Sequence, residues 1–293
     1  LGNLFTSKDL DIALQEDLTI TLSSSKEAFK CQKSAELQNI FCNVHIKIDT
    51  GMTRLGCDSA FALDLVELVD SLPNLCLKGI YSHLALADCE HNIYADTVTS
   101  IQKEKFNCLL SDLKFRKKPL CKHLANSAGT LRDKSLHFDM VRVGLALYGY
   151  SPFLKFKNTF SLEPALAVRA RVALVRDVPA GTGVSYGHTF KTTRPSRLAV
   201  VGIGYADGIS RALSGKISVL IDGNFYPQVG SITMDQLVID LTEKPDVQVG
   251  SIVTLLGIDG CSCITPYQWS EVTGSIPWEI LCGFKYRLPR VVI

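Results

Sequence analysis

The chain has 293 residues, 46 % of them hydrophobic and 20 % charged, enough to bury one large core or two ordinary ones. Thirty-one basic against 29 acidic residues leave a formal charge of +2, and with no dense basic run there is no electrostatic footprint for nucleic acid or a membrane surface. No apolar run nears the roughly 20 residues that cross a bilayer, and the first residues lack a signal-peptide pattern, so a cytoplasmic protein is expected.

From the N-terminus, short β-branched runs alternate with longer amphipathic ones. "LTITLSS" reads as a strand and "SKEAFKCQKSAEL" as a helix; "CNVHIKIDT" is a strand, "SAFALDLVELVDSL" a helix, and "LKGIYSHLAL" a strand. "NIYADTVTSIQKEKFNCLLSDLKF" has helical spacing, and "CKHLANSA" and "MVRVGLALYG" are again strand-like. Five strands alternating with helices predict a parallel α/β sheet or barrel. After "YSPFLKFKNTFSLEP" the texture changes to strands punctuated by Gly, Pro and Asp-Gly turns, from "ALAVRARVALVRDV" through "SRLAVVGIGYADG" and "KISVLIDGNFYPQVGSITMDQLVIDL" to "GSIVTLLG". That predicts an antiparallel β domain, with a hairpin at Asp222-Gly223 and a boundary between Tyr150 and Leu162.

Ten cysteines are spread along the length, mostly in apolar segments. They read as buried free thiols in a reducing compartment rather than a disulfide framework. Cys261 and Cys263 form C-x-C with no second pair, so no metal site is expected. Four strand ends carry polar groups: Lys47 with Arg54, then His83, then Asn126 with Ser127, then Arg142. Barrels place functional residues at the C-terminal ends of their strands, and an unpaired buried charge is expensive. Their convergence is a candidate site.

"HIKIDTGMTRLG", "GIYSHLALAD", "HLANSAG", "FDMVRVGLALYG", "VSYGHTF", "GIGYADG", "GSITMDQ" and "YRLPR" resemble, in that order, the successive motifs of bacterial alanine racemases. The resemblance implies a TIM-type barrel over 1–152 that binds pyridoxal 5'-phosphate (PLP), then a mainly antiparallel β domain over 153–293. It also implies a homodimer with shared active sites and D-alanine production for peptidoglycan. One departure is large. The family's PLP lysine lies in a motif close to "KANAYGHG" that is not found here, and Lys8, Lys26 and Lys30 lie in contexts that do not match it. A racemase with an N-terminally incomplete barrel is therefore expected, its PLP lysine missing from this chain. A non-catalytic racemase-like domain is the alternative, with a serine racemase or a same-fold PLP decarboxylase behind it.

By the same resemblance, Tyr205 is one of two bases that move the α-proton. A phenol with an ordinary pKa near 10 is a poor base at neutral pH, so the family arrangement of His83 beside Tyr205 and Arg142 behind His83 implies positive charge that favours the phenolate. The resemblance also implies that Arg142 faces the pyridine nitrogen. A guanidinium does not give up its proton there, which argues for a racemase against a decarboxylase. Ser127, the backbone of Gly144 and Leu145, and the Tyr286 hydroxyl correspond to phosphate ligands. Arg54 corresponds to the arginine that takes the substrate carboxylate, and Lys47 to a lysine carbamylated in many members. Met234 and Asp235 correspond to pocket residues supplied by the partner chain. Thr53 stands where the family usually has glycine. His45, His91, His137 and His188 read as ordinary core or surface residues, and His123 as a weak support of the site.

Overall fold

A computed structural model describes every residue except 1, 3, 5, 90, 91, 116, 117, 154–160, 245 and 293; His91 and much of the expected boundary segment therefore lie outside the described residues. The chain divides into two compact units, Leu1–Leu147 with Ser151–Leu162, and Tyr148–Tyr150 with Glu163–Ile293.

The first unit alternates helices and strands: α1 (Ser7–Gln15), β1 (Ile20–Leu22), α2 (Ser25–Leu37), β2 (Cys42–Asp49), β3 (Cys57–Asp58), α3 (Ala62–Ser71), β4 (Leu75–Tyr81), α4 (Ile93–Asp112), β5 (Cys121–His123) and α5 (Ser127–Arg132). The ladders are parallel in the order β1-β2-β4-β5, with β3 added to the end of β2. Sequential parallel winding with helices between strands is the architecture of a TIM-type domain. In β2, Cys42, Val44, Ile46 and Ile48 are buried in the apolar core, and side chains alternate across a strand, so His45 and Lys47 occupy the opposite face. Helix α2 brings Ala28, Cys31 and Ala35 to that core, and α3 brings Leu65, Val66 and Val69. Each fully buried aliphatic side chain contributes about 1.5–3 kcal/mol.

Two sequence expectations change in this unit. "MVRVGLALYG" is not a strand: Arg142 N–H donates to the Ala125 carbonyl (3.0 Å), and Leu145–Tyr148 closes as a 3-10 turn. Its apolar alternation imitates a strand, but its backbone bonds go to Ala125 and to the Ser127 hydroxyl. The fifth strand of the sheet is instead the short β3. Helix α1 was not foreseen, although Thr6 and Asp9 form a reciprocal capping box at its start.

The second unit contains β6 (Val168–Val178), a separate ribbon of β7 (Gly183–Val184) and β8 (Phe190–Lys191), then β9 (Ser196–Val201), β10 (Ser218–Ile221), β11 (Asn224–Val229), β12 (Leu237–Asp240), β13 (Ile252–Asp259) and β14 (Ser262–Ile264). Antiparallel ladders run β10-β11-β12-β9-β6-β13, and a further β10–β13 pairing closes the ring, with β14 on β13. Closure removes the exposed strand edges that invite aggregation. Asp222 (φ 50) and Gly223 (φ 75) make the expected hairpin turn between β10 and β11, both in the left-handed region that such two-residue turns need. Helices α6 (Pro266–Thr273) and α7 (Pro277–Gly283) follow. Trp269 on α6 is 1 % exposed in the core of this unit.

All ten cysteines are free thiols; Cys108, Cys261 and Cys282 are exposed, so burial holds for only part of the set. Among the described residues no helix is long and apolar enough to cross a membrane.

Candidate active site

Lys47, Tyr81 and His123 lie in one lateral row, because Lys47 pairs in register with Tyr81 and Tyr81 with His123. The Tyr81 ring stacks on the His123 imidazole with centroids 4.5 Å apart. The Arg142 guanidinium lies 4.9 Å and the Lys47 ammonium 5.7 Å from the Tyr81 ring centroid, within cation–π range. The Tyr81 hydroxyl is tied to Thr21 Oγ1 at 2.9 Å.

Arg142 is the hub. Nη1 donates to His123 Nδ1 (2.6 Å), and Nη2 shares its protons among the carbonyls of Ser82 (2.6 Å) and Leu124 (3.2 Å) and His83 Nδ1 (3.2 Å). Its Nε–H has no partner among the described residues. A guanidinium has donors only, so both imidazoles must present a bare Nδ1 and carry their proton on Nε2. Their surroundings agree. Burial, and then the adjacent Arg142, lower His83 to about 4 and His123 to about 3, so both rings are neutral at physiological pH.

Lys47 is 7 % exposed. Burial, then the positive charges of Arg54 and Arg142, push its ammonium down, against a smaller opposing pull from Asp49. No carboxylate lies within ion-pair range of Lys47 among the described residues.

The loop after β2 is built around Asp49, whose Oδ1 accepts from the backbone N–H groups of Gly51 (2.9 Å), Met52 (3.0 Å) and Thr53 (3.1 Å). Burial works to raise the Asp49 carboxyl, but these three bonds outweigh it and hold it below the usual range. Thr53 sits at φ +56, a left-handed conformation that a β-branched residue adopts only under strain. Arg54, next along, is exposed.

Behind the strand ends lies Gln102 of α4, 1 % exposed. Its amide donates to the His83 carbonyl (2.9 Å) and Thr50 Oγ1 (3.3 Å) and accepts from Ala85 N–H (2.9 Å). Thr50 and Ser82 are hydrogen-bonded at 2.7 Å, and Ser82 Oγ donates to the Ile48 carbonyl at 2.7 Å. One chain of bonds thus fixes the ends of β2 and β4, and His83 with them.

Ser127 is 6 % exposed, and its hydroxyl accepts from Gly144 N–H (2.9 Å) and Ala146 N–H (3.4 Å). Its own proton is left to donate. No atom lies within 4 Å of where a Gly144 side chain would begin, so these donors border open space. Ser127, Gly144 and Leu145 are brought together.

The second unit gathers another set. Tyr205 N–H donates to the Thr233 carbonyl and Ala206 N–H to the Met234 carbonyl, both at 3.0 Å. Gly204 permits this: a Cβ there would lie 2.3 Å from Thr233 O and 2.4 Å from Met234 O. Asp207 accepts from Gly204 N–H (3.0 Å) and pairs with Arg287 (3.1 Å), which also pairs with Asp235 (2.6 Å). Tyr205, Met234 and Asp235 are therefore neighbours on one surface, beside the segment that carries Tyr286. Tyr205 is 43 % and Tyr286 fully exposed.

Sequence reasoning missed Tyr81 and Gln102 and undervalued two histidines. His123 contacts Arg142 directly, and His45, expected to be an ordinary residue, bonds His123 at 2.9 Å. The available signal was period-2 spacing, which puts His45 with Lys47, and Tyr81 with His83, on common strand faces. Nothing in the sequence distinguished Gln102 from any polar residue of an amphipathic helix. His137 donates to the Thr130 carbonyl (2.8 Å), a structural contact.

The family model described as "Alanine racemase, N-terminal domain" matches residues 1–152, and "Alanine racemase, C-terminal domain" matches 165–292. The alanine racemase of Prochlorococcus marinus is 71 % identical over 293 residues, which cover 100 % of this chain and 76 % of that protein. That of a Nostoc species is 47 % identical, over 99 % of this chain and 75 % of that protein. Among solved structures, alanine racemase from Streptomyces coelicolor A3(2) aligns with a TM-score of 0.90 at 32 % identity, covering 99 % of this chain and 76 % of that one. Alanine racemase from Bacillus anthracis with bound L-Ala-P aligns at 0.88 and 34 % identity, covering 99 % and 74 %. The N-terminal-domain model matches from residue 1, so the expectation of a chain lacking the segment with the PLP lysine is not borne out.

Proposed function

The chain belongs to the alanine racemase family, and from that membership we propose how its residues interconvert L-alanine and D-alanine with the help of PLP. D-alanine, the product, supplies peptidoglycan synthesis. The donor sets fit the cofactor. Ser127 has a hydroxyl proton left to donate beside the Gly144 and Leu145 backbone and open space, which suits a phosphate. Among the described residues the Arg142 Nε–H has no partner, which suits an acceptor nitrogen in a ring. PLP, when bound, supplies an electron sink for the pair left when the α-proton departs.

The remaining work falls to the chain. Arg142 would offer the ring nitrogen a hydrogen bond but not a proton, since a guanidinium stays charged; the observation that supports the racemase mechanism is its Nε–H, which has no partner among the described residues. Tyr205 of a second copy takes and returns the α-proton at its hydroxyl on one face, and the lysine that carries PLP in this family serves the other. His83, with its proton held on Nε2 by Arg142, presents a donor to that phenolate. Arg54 grips the substrate carboxylate, and Met234 and Asp235 of the second copy limit the side-chain space. Lys47, buried among cations with a depressed ammonium, is a nucleophile suited to carbamylation, which would turn it into an anionic partner for Arg54. A homodimer with shared sites and a cytoplasmic location belong to the same proposal, the latter supported by ten free thiols.

The test is the PLP-loaded protein with L-alanine, followed by chiral analysis. Formation of D-alanine is expected; carbon dioxide release from a basic amino acid without racemisation would overturn the reading.

A further inference from the structure

We infer that His45 is a positioning residue for Arg142, acting through His123, and that Gly79 is the socket that admits its imidazole. The inference rests on the racemase reading only for its effect on turnover. Its structural content stands on the proton arrangement.

Arg142 Nη1 donates to His123 Nδ1, so the single proton of a neutral His123 lies on Nε2. That nitrogen is 2.9 Å from His45 Nδ1, the acceptor it has among the described residues. His45 must then keep its Nδ1 bare. Burial lowers its affinity for a second proton, which agrees. The chain Arg142 → His123 → His45 therefore points one way only. It also ends on a neutral acceptor rather than a carboxylate, so it orients the guanidinium without neutralising it. The Arg142 charge stays available to a ring nitrogen.

Gly79 is in register with His45 on one side and Cys121 on the other. A Cβ on Gly79 would lie 2.6 Å from His45 Cε1, 2.7 Å from His45 Nε2 and 2.6 Å from the Cys121 carbonyl oxygen. Real Cβ atoms do not approach so closely, and the obstacle is rigid backbone and ring. The glycine stands where the imidazole crosses the neighbouring strand, and its role is space rather than an unusual backbone angle.

Without the His45 acceptor, His123 has two options. It can leave a buried N–H unpaired, or it can move its proton to Nδ1 and turn that proton against Arg142. Asparagine places an amide oxygen near the position of the histidine Nδ1 and preserves the acceptor; leucine does not.

The experiment is long-range 1H–15N spectroscopy of the histidines in the cofactor-free protein, with His45→Asn and His45→Leu, joined to kcat and KM of the PLP-loaded forms. Native protein should show His123 and His45 neutral and protonated on Nε2. His45→Asn should keep the His123 tautomer and a kcat within about threefold, whereas His45→Leu should change the tautomer and lower kcat by about tenfold, with KM for alanine moved less. A native His123 protonated on Nδ1 would overturn the inference without any variant, as would an asparagine variant as impaired as the leucine one. Failure of the unsubstituted protein to racemise would instead defeat the racemase reading, and the tautomer result would decide this inference alone.

Discussion

Gly204→Ala is expected to part the two loops that hold Tyr205. Gly204 has φ −150 and ψ −159, extended backbone that alanine adopts freely, so the whole cost is steric. The added Cβ would stand 2.3 Å from Thr233 O, 2.4 Å from Met234 O and 2.5 Å from the Met234 carbonyl carbon. Relief to ordinary contact near 3.5 Å requires the two loops to separate by about 1 Å. That stretches the Tyr205 N–H and Ala206 N–H bonds, now both 3.0 Å, beyond useful length. Two weakened bonds at about 1 kcal/mol each add to about 1–3 kcal/mol of overpacking. The expected loss is about 3–5 kcal/mol for the second unit, read from urea unfolding, with kcat falling more than KM because Tyr205 is displaced from Met234. A variant within about 0.5 kcal/mol of the parent and with unchanged kcat would refute the reasoning.

Stability should depend on pH through His83 and His123. Both are depressed in the fold, to about 4 and about 3 from an ordinary 6.5, so their contribution is complete above 6.5 and is lost as pH falls toward those values. The slope is at most about 1.4 kcal/mol per pH unit for each histidine, and urea midpoints that stay level between pH 6.5 and 5 would contradict it. Gln102→Leu leaves Ala85 N–H, the His83 carbonyl and the Thr50 hydroxyl without their amide partner; a loss of about 2–3 kcal/mol in chemical denaturation is expected, and a neutral result would mean that water replaces the amide. Thr53→Gly relieves the left-handed strain at φ +56, so stability should rise by up to about 1 kcal/mol. A calorimetric melting temperature below that of the parent would show that Thr53 is not strained.

The parallel sheet and the antiparallel β domain were legible because their signals are local, whereas closure of the second unit through the β10–β13 pairing was not. β2 alternates one apolar face with one carrying His45 and Lys47, and Asp222-Gly223 announces its turn. "MVRVGLALYG" misled because apolar alternation reports side-chain faces and says nothing of which backbone groups pair. Its N–H groups bond the Ala125 carbonyl and the Ser127 hydroxyl, a choice made by tertiary structure. Helices α1 and α6 were passed over although Thr6 with Asp9, and Thr265 with Pro266 and Gln268, are start signals. The site residues came from the family motifs, and the structure adds what motifs do not carry: the direction of each proton around Arg142. His45 and Gln102 act through partners 78 and 17 residues away, and no local pattern encodes such pairings.

The measurement that bears most directly on the two-base mechanism is exchange of the α-proton with deuterated water, followed separately from L-alanine and from D-alanine in PLP-loaded Tyr205→Phe. Loss of a positioned base costs about a hundredfold or more in the step it serves. Exchange should therefore slow by that factor from one enantiomer and far less from the other. Equal slowing from both would contradict the assignment of Tyr205 to a single face.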